Sequence, residues 1–263
     1  MHILSIALFR NASIIAHRAM TWIEPVQFGS SATGSVMDNL SKIALFKDLE
    51  PAASERFARN CNWKDYDASE LVIDVDDETN DVRFVMAGKV RIIMRIAVGK
   101  EVILGEMAEG EFFGEIAAID GHTRSANVTA LTRSRICIMP QRTFVEILRS
   151  YPELSMQVLK MFATRVRALN LRLGEHSFLQ AKHRLYAELL RLSRPRPGNA
   201  AQRSISPPPI QRELAERIGS RREVVSRELN QLERQGHIEK ARGALVLVNV
   251  SELHRRISDA LED

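Results

Sequence analysis

Apolar positions along this chain follow two periods, and the switch between them divides it. Between Ala68 and about Ile138 the apolar runs are short: Leu71-Val72-Ile73, Arg83 to Met86, Val90 to Ile96, Val102 to Leu104 and Arg135 to Ile138. Gly88, Gly99, Gly110 and Gly121 punctuate them at eleven-residue intervals. Short strands with regular turns predict an all-β roll or sandwich. From Tyr151-Pro152-Glu153 the period lengthens. Leu154, Val158, Met161, Phe162, Val166, Leu169 and Leu173 recur every three or four residues, which predicts one amphipathic helix reaching about Phe178. Proline suits its first turn, and Glu153 suits the positive end of the helix dipole. So long a helix is expected to lay its stripe on its own β-domain or on the same helix of a second copy. Gly174 is expected to loosen it near the end.

On either side the pattern is helical. Leu45 to Leu49 and Ala52 to Asn60 read as short helices leading into the β-domain, and Ala181 to Leu192 as a further amphipathic helix. Arg194 to Pro209, with its prolines and Gly198, reads as a loop. Gln211 to Gln235 reads as two helices around a turn at Gly219-Ser220. Leu214, Ala215 and Ile218 are the buried side of the first, and Val224, Val225, Leu229 and Leu232 that of the second. This is helix-turn-helix spacing. Gly236 to Glu239 and Ala244 to Val250 follow as a two-stranded wing, and Ser251 to Asp263 as a terminal helix. Residues 1–36 differ from the rest, with apolar Met1 to Phe9 and small, polar Ser30 to Ser35. They are expected to be a tail, or an extension upstream of the true start, rather than a helix packed on the body.

The chain has 263 residues, 45% of them hydrophobic, and a net charge of +4. That is enough for two domains with real cores. Arginine crowds the last third. The two cysteines, Cys61 and Cys137, lie far apart in the sequence without metal-ligand spacing, which argues against a disulfide scaffold, a zinc site or a cysteine-held iron–sulfur cluster. No apolar run approaches the ~20 residues that span a bilayer. The expectation is a cytoplasmic protein with no membrane partner and no metal. No nucleophile–base constellation stands out, so no enzyme activity is expected.

The densest chemistry lies between Gly110 and Ala126, Gly-Glu-Phe-Phe-Gly-Glu-Ile-Ala-Ala-Ile-Asp-Gly-His-Thr-Arg-Ser-Ala. Gly114 lets backbone N–H groups approach a ligand. A helical turn opening at Glu115 points free N–H groups, near Ile116 and Ala117, the same way. Arg124 can clamp an anion with its guanidinium fork, and Ser125 adds a hydroxyl donor. Glu115 is wrong for a phosphate but right for accepting from a sugar hydroxyl beside it. An anionic group and a ribose hydroxyl within a few ångströms describe a nucleotide.

Gly114-Glu115 followed by Arg124-Ser125-Ala126 resembles the phosphate-binding cassette of cyclic-nucleotide-binding domains, in catabolite-activator-type (CRP/FNR) regulators and in eukaryotic cyclic-nucleotide kinases. Phe84 to Val90 resembles the glycine-bearing hairpin of that family, and Phe178-Leu179 its hinge, with Gln180 where aspartate is usual. The resemblance covers nearly all of residues 38–250. It implies an α+β fold: an N-terminal β-roll that binds the nucleotide over 37–150, a long dimerisation helix and hinge over 151–179, and a C-terminal winged helix-turn-helix over 180–263. It implies cyclic AMP, alternatively cyclic GMP, as an allosteric effector. Its contacts would be Gly114, Glu115, Ile116, Ala117, Arg124, Ser125 and Ala126, with Arg165, Leu169 and Asn170 on the long helix. It also implies a homodimer through residues 154–176, with double-stranded DNA and RNA polymerase as partners. Relatives of this fold that sense a gas or redox state need haem ligands or a cysteine cluster, and Cys61, Cys137 and His122 form no cluster in the sequence.

The second helix of the turn carries Arg221, Arg222, Glu223, Ser226 and Arg227 on its polar side, after Ser220, which can cap it or touch a phosphate. Arginine binds guanine O6 and N7 together, and a carboxylate accepts from cytosine N4. Arg222, Glu223 and Arg227 resemble the family's recognition helix, which implies half-sites containing GTGA.

Overall fold

A computed structural model of the chain describes residues 40, 43–97 and 100–262. The extension expected over residues 1–36 lies outside the described residues. Among the described residues the chain divides into two compact units, 40–165 together with 215–221, and 166–214 together with 222–262.

The first unit opens with a 3-10 turn, Ala44–Phe46, and α1, Pro51–Ala58, which carries proline in its first turn. The strands then follow: β1 (Asn62–Tyr66), β2 (Leu71–Ile73), β3 (Val82–Ala87), β4 (Lys89–Ala97), β5 (Lys100–Ala108), β6 (Phe112–Phe113), β7 (Asn127–Ala130) and β8 (Ser134–Met139). A six-residue helix, α2 (Glu115–Asp120), interrupts them. They pair antiparallel in two four-stranded sheets, ordered β1-β8-β3-β6 and β2-β7-β4-β5. The sequence pattern did not announce β1. Its residues Asn-Trp-Lys-Asp-Tyr bury only Tyr66 fully, as an edge strand does.

Two cores result. Tyr66, Ile73, Val85, Val90, Phe113, Val128 and Ile136 form one cluster. Phe46, Val82, Phe84, Phe112, Met139, Phe144 and Ile147 form the other, with Leu154 and Val158. β3 feeds both: Val82, Phe84 and Met86 point one way and Val85 the other, the two-residue period of a strand buried on both faces. The aromatic rings meet tilted, Phe84 with centroids 5.1 Å from Phe46 and 5.3 Å from Phe112. Gly88 turns β3 into β4 at φ +87, where a Cβ would come within 2.4 Å of the Arg133 carbonyl. Cys61 and Cys137, far apart in sequence, are brought together in the second core. Their buried thiols are hydrogen-bonded to each other, and Cys61 Sγ also donates to the Phe57 carbonyl. Both are free thiols.

Helix α3 (Gln141–Ser150), absent from the sequence expectation, buries Thr143, Phe144 and Ile147. The long helix α4, Pro152–Phe178, ends where expected and runs through Gly174 without a break. Its apolar stripe is split. Leu154 and Val158 are buried in the roll's core, whereas Leu159, Val166, Leu169 and Leu173 are exposed.

The second unit contains α5 (Ala181–Leu192), β9 (Arg194–Arg196), β10 (Asn199–Ile205), α7 (Arg222–Arg234), β11 (Ile238–Ala241), β12 (Ala244–Leu247) and α8 (Val250–Glu262); α6 (Gln211–Ile218) precedes α7. The loop expected over residues 194–209 is corrected. Its first part is the hairpin β9–β10, and β10 pairs with β12 to extend the wing into a sheet ordered β11-β12-β10-β9. Pro195 is tolerated because β9 is an edge strand, where a missing N–H costs no ladder bond. Gly198 makes the turn at φ +78. At the hinge, Gln180 makes no side-chain cap. Instead Arg184 donates to the Leu179 carbonyl at 2.7 Å, and Arg191 of α5 holds Glu175 of α4 through both carboxylate oxygens, at 2.6 and 2.8 Å.

Candidate ligand cassette and nucleic-acid interface

Phe113 ends β6 and Gly114 turns the chain at φ +84 into α2. Only glycine fits, because a Cβ would meet Arg124 Nη1 at 2.7 Å and the Asp81 carbonyl at 2.9 Å. The N–H groups of Glu115, Ile116 and Ala117 have no partner inside the helix they open. Ile116 is exposed, whereas Ala117 and Ala126 are buried.

Arg124 lies under Gly114 and is only 4% exposed. Its Nη1 donates to the Gly114 carbonyl at 3.1 Å, and its Nε and Nη2 both donate to Thr79 Oγ1, at 3.1 and 3.0 Å. Nη2 also donates to the Asp81 carbonyl at 2.9 Å and pairs with the Asp81 carboxylate at 3.1 Å. The other Asp81 oxygen takes Arg83 Nε at 2.6 Å. Burial pulls the Arg124 guanidinium below the usual arginine range, against Asp81, which supports its charge. Arginine remains protonated under such a shift. Ser125 is exposed beside it.

Glu115 is the other buried charge, 2% exposed. It is ion-paired with Arg165 of α4, whose Nη2 also reaches the Phe112 carbonyl at 3.5 Å. The expected cassette residues Gly114, Glu115, Arg124 and Ser125 are therefore gathered around α2, and Arg165 joins them. Leu169 follows Arg165 by one turn of α4, and Asn170 is next to it; both are exposed. Sequence reasoning missed Thr79 and Asp81. No local motif marks them, because their role depends on the β2–β3 connection folding back onto Arg124. The donor set of buried arginine, exposed serine hydroxyl and open helix N–H groups fits an anionic phosphodiester, and the Glu115 carboxylate fits a neighbouring hydroxyl.

On α7, Arg222, Glu223 and Arg227 are exposed and Ser226 is half-buried. With Gln211 and Asn230 they line a groove of about 350 Å³. Val225, Leu229 and Leu232 are buried on the opposite side. Arg221 is exposed just before the helix, and it holds the capping position expected of Ser220, since α7 begins at Arg222. Gln211 and Asn230 were not among the expected residues.

The family model of the cyclic nucleotide-binding domain matches residues 63–151, and that of the Crp-like helix-turn-helix domain matches residues 183–256. The chain belongs to the CRP/FNR family of transcription regulators. Among its relatives is the CRP-like cAMP-activated global transcriptional regulator of Mycobacterium tuberculosis, 26% identical over 216 residues, covering 81% of this chain and 95% of that protein. Another is the cAMP-activated global transcriptional regulator CRP of Salmonella typhimurium, 25% identical over 195 residues, 74% of this chain and 92% of that one. A CooA mutant from Carboxydothermus hydrogenoformans shares the fold at a TM-score of 0.70 and 19% identity, over 85% of this chain and 97% of that one. The c-di-GMP responsive regulator CLP of Xanthomonas campestris shares it at 0.62 and 22%, over 75% and 99%. The matched CRP/FNR relatives are named transcription regulators, not enzymes. Regulators of this family bind DNA and act as dimers. Among the described residues no helix is long and apolar enough to cross a membrane.

Proposed function

We propose that this CRP/FNR regulator is gated by a cyclic mononucleotide, cyclic AMP before cyclic GMP, and binds palindromic DNA with GTGA-type half-sites as a homodimer. The observation that carries the reading is the cassette. Arg124, Ser125 and the N–H groups of Ile116 and Ala117 offer donors for a cyclic phosphate, and Glu115, tied to Arg165, offers an acceptor for the ribose hydroxyl. A charge-assisted hydrogen bond contributes about 1.5–3 kcal/mol, so a few support micromolar binding. Leu169 and Asn170 are the candidate contacts for the base. Leu169 has no polar group, so Asn170, which both donates and accepts, is left to read adenine or guanine. Ligand contact with α4 would bias the helix seam, and with it the two recognition helices, which must meet half-sites about one DNA turn apart. Such coupling takes ~1–3 kcal/mol.

The exposed row Leu159, Val166, Leu169 and Leu173 supports the dimer. Leu159, Val166 and Leu173 stand at heptad spacing, the pattern of a two-helix seam. Base reading is assigned to Arg222, Glu223, Ser226 and Arg227, and phosphate contact to Ser220 and Arg221. RNA polymerase is proposed as a further partner on the family resemblance alone.

One observation favours a second reading, a regulator of the same fold with another effector. The Arg124 guanidinium is already engaged by Thr79, Gly114 and Asp81, as a purely structural arginine would be. Calorimetric titration with cyclic AMP, cyclic GMP and cyclic di-GMP, followed by DNA shift on a GTGA palindrome, separates the two. Micromolar binding of a cyclic mononucleotide that turns on DNA binding supports the first. DNA binding without any nucleotide affinity rejects it.

A further inference from the structure

Thr79 and Asp81 come from the β2–β3 connection, outside the cassette as the sequence defines it. Arginine has five N–H donors and no acceptor. The four hydrogen bonds of Arg124 to Thr79, Asp81 and Gly114 leave one Nη1 N–H over. A hydroxyl has two acceptor lone pairs and one donor. Both Thr79 lone pairs are taken by Arg124, at 3.1 and 3.0 Å, and its O–H proton has no acceptor among the described residues. Thr79 is exposed while Arg124 is buried.

We propose that Thr79 is a ligand-contacting residue of this site, donating its hydroxyl proton to the anionic group of the ligand. The inference rests on the nucleotide reading of the cassette. Two guanidinium N–H groups bonded to the same oxygen polarise its O–H bond and strengthen it as a donor. A buried guanidinium thereby acts on an anion at the surface through an oxygen that it charges. Asp81 is a positioning residue: its two oxygens hold Arg124 and Arg83, which keeps the guanidinium aligned on Thr79.

The test compares Thr79→Val, Thr79→Ser and Asp81→Asn in the full chain. Affinity for cyclic AMP and cyclic GMP is read by calorimetry, and stabilisation by inorganic phosphate by thermal melting. Thr79→Val is expected to bind about tenfold more weakly than the parent, the loss of one charge-assisted hydrogen bond. Thr79→Ser is expected to stay within about threefold of the parent on the same scale, and Asp81→Asn to lose less than Thr79→Val. Unchanged affinity in Thr79→Val overturns the proposal. So does an Asp81→Asn loss as large as that of Thr79→Val, since Thr79 would then act only by holding Arg124. If the parent binds neither nucleotide, the nucleotide reading fails, and the phosphate arm judges Thr79. Phosphate stabilisation of the parent that Thr79→Val loses upholds the contact. An equal response, including none from either, refutes it.

Discussion

Arg165 of the long helix is ion-paired with Glu115 at the opening of α2, so one salt bridge ties α4 to the centre of the ligand cassette. Glu115 is buried and Arg165 half-exposed. A carboxylate out of water needs a partner, and Arg165 supplies it while leaving the second oxygen for a ligand hydroxyl. Glu115→Gln keeps the shape and removes the charge. It is expected to lower nucleotide affinity about tenfold, because a hydrogen bond to a charged group contributes about 1.5–3 kcal/mol. Arg165→Met should cost a similar amount, and the double variant much less than the product of the two. Calorimetry on all four proteins gives the cycle. Additive losses would mean that the pair does not work as a unit.

The cassette was legible because its ligands are close in sequence: Gly114, Glu115, Arg124 and Ser125 span one turn, one helix and one loop. The helix-turn-helix was legible for the same reason, as was α4, a helix of twenty-seven residues whose apolar period runs from Leu154 to Leu173. What escaped depends on distant pairing. β9–β10 reads as a proline-rich loop until β12 arrives to pair with β10. Thr79 and Asp81 look like members of a solvated acidic stretch until the fold lays them on Arg124. Cys61 and Cys137 meet only because β1 pairs with β8, with Trp63 opposite Cys137. The Arg165 pairing was visible only in part: its position on α4 could be read, but its partner could not.

Tyr186 gives the DNA-binding end a pH dependence. It is buried and donates to Glu228, and burial first, then Glu228, push its pKa up to about 12. A pKa raised in the folded state, against an ordinary value near 10, means that folding favours the protonated phenol. That stabilisation is complete below pH 10 and is lost as the pH rises through 12. Melting temperature is therefore expected to fall between those values in the parent, and less steeply in Tyr186→Phe. A parallel fall in both proteins would assign the loss to other groups.

Leu173 is 67% exposed and Leu169 60%, on a helix that buries Leu154 and Val158 in the roll only near its start. A second copy would cover them, and burying a leucine side chain contributes about 1.5–3 kcal/mol. Two symmetric copies double each contribution, so a single charge on the seam should separate the protomers. Leu173→Glu is expected to sediment as a monomer at micromolar concentration while keeping the circular dichroism of the parent. Ala168→Glu, exposed on the same helix and off the row, is the control for charge alone. A dimer that survives Leu173→Glu would place the interface elsewhere.

Arg222 and Arg227 line the groove on α7, whereas Arg221 stands outside it. The two positions predict different losses. A base-reading arginine discriminates by about 1–3 kcal/mol, so Arg222→Ala should weaken binding to a GTGA palindrome and bind single-base variants nearly as well as the parent site. A phosphate-contacting arginine carries no sequence information. Arg221→Ala should therefore weaken every site alike and lower the slope of log affinity against log salt by about 0.9 per protomer contact. Glu223 adds a check on base identity: a carboxylate accepts from cytosine N4 and repels phosphate, so Glu223→Gln should relax specificity while strengthening nonspecific binding. Fluorescence anisotropy on the palindrome, its variants and random DNA at several salt concentrations reads all three. If Arg222→Ala loses affinity equally on every sequence, the groove contacts the backbone through Arg222, and the specificity must come from the other residues that line it, Gln211 at the start of α6 and Asn230 of α7 among them.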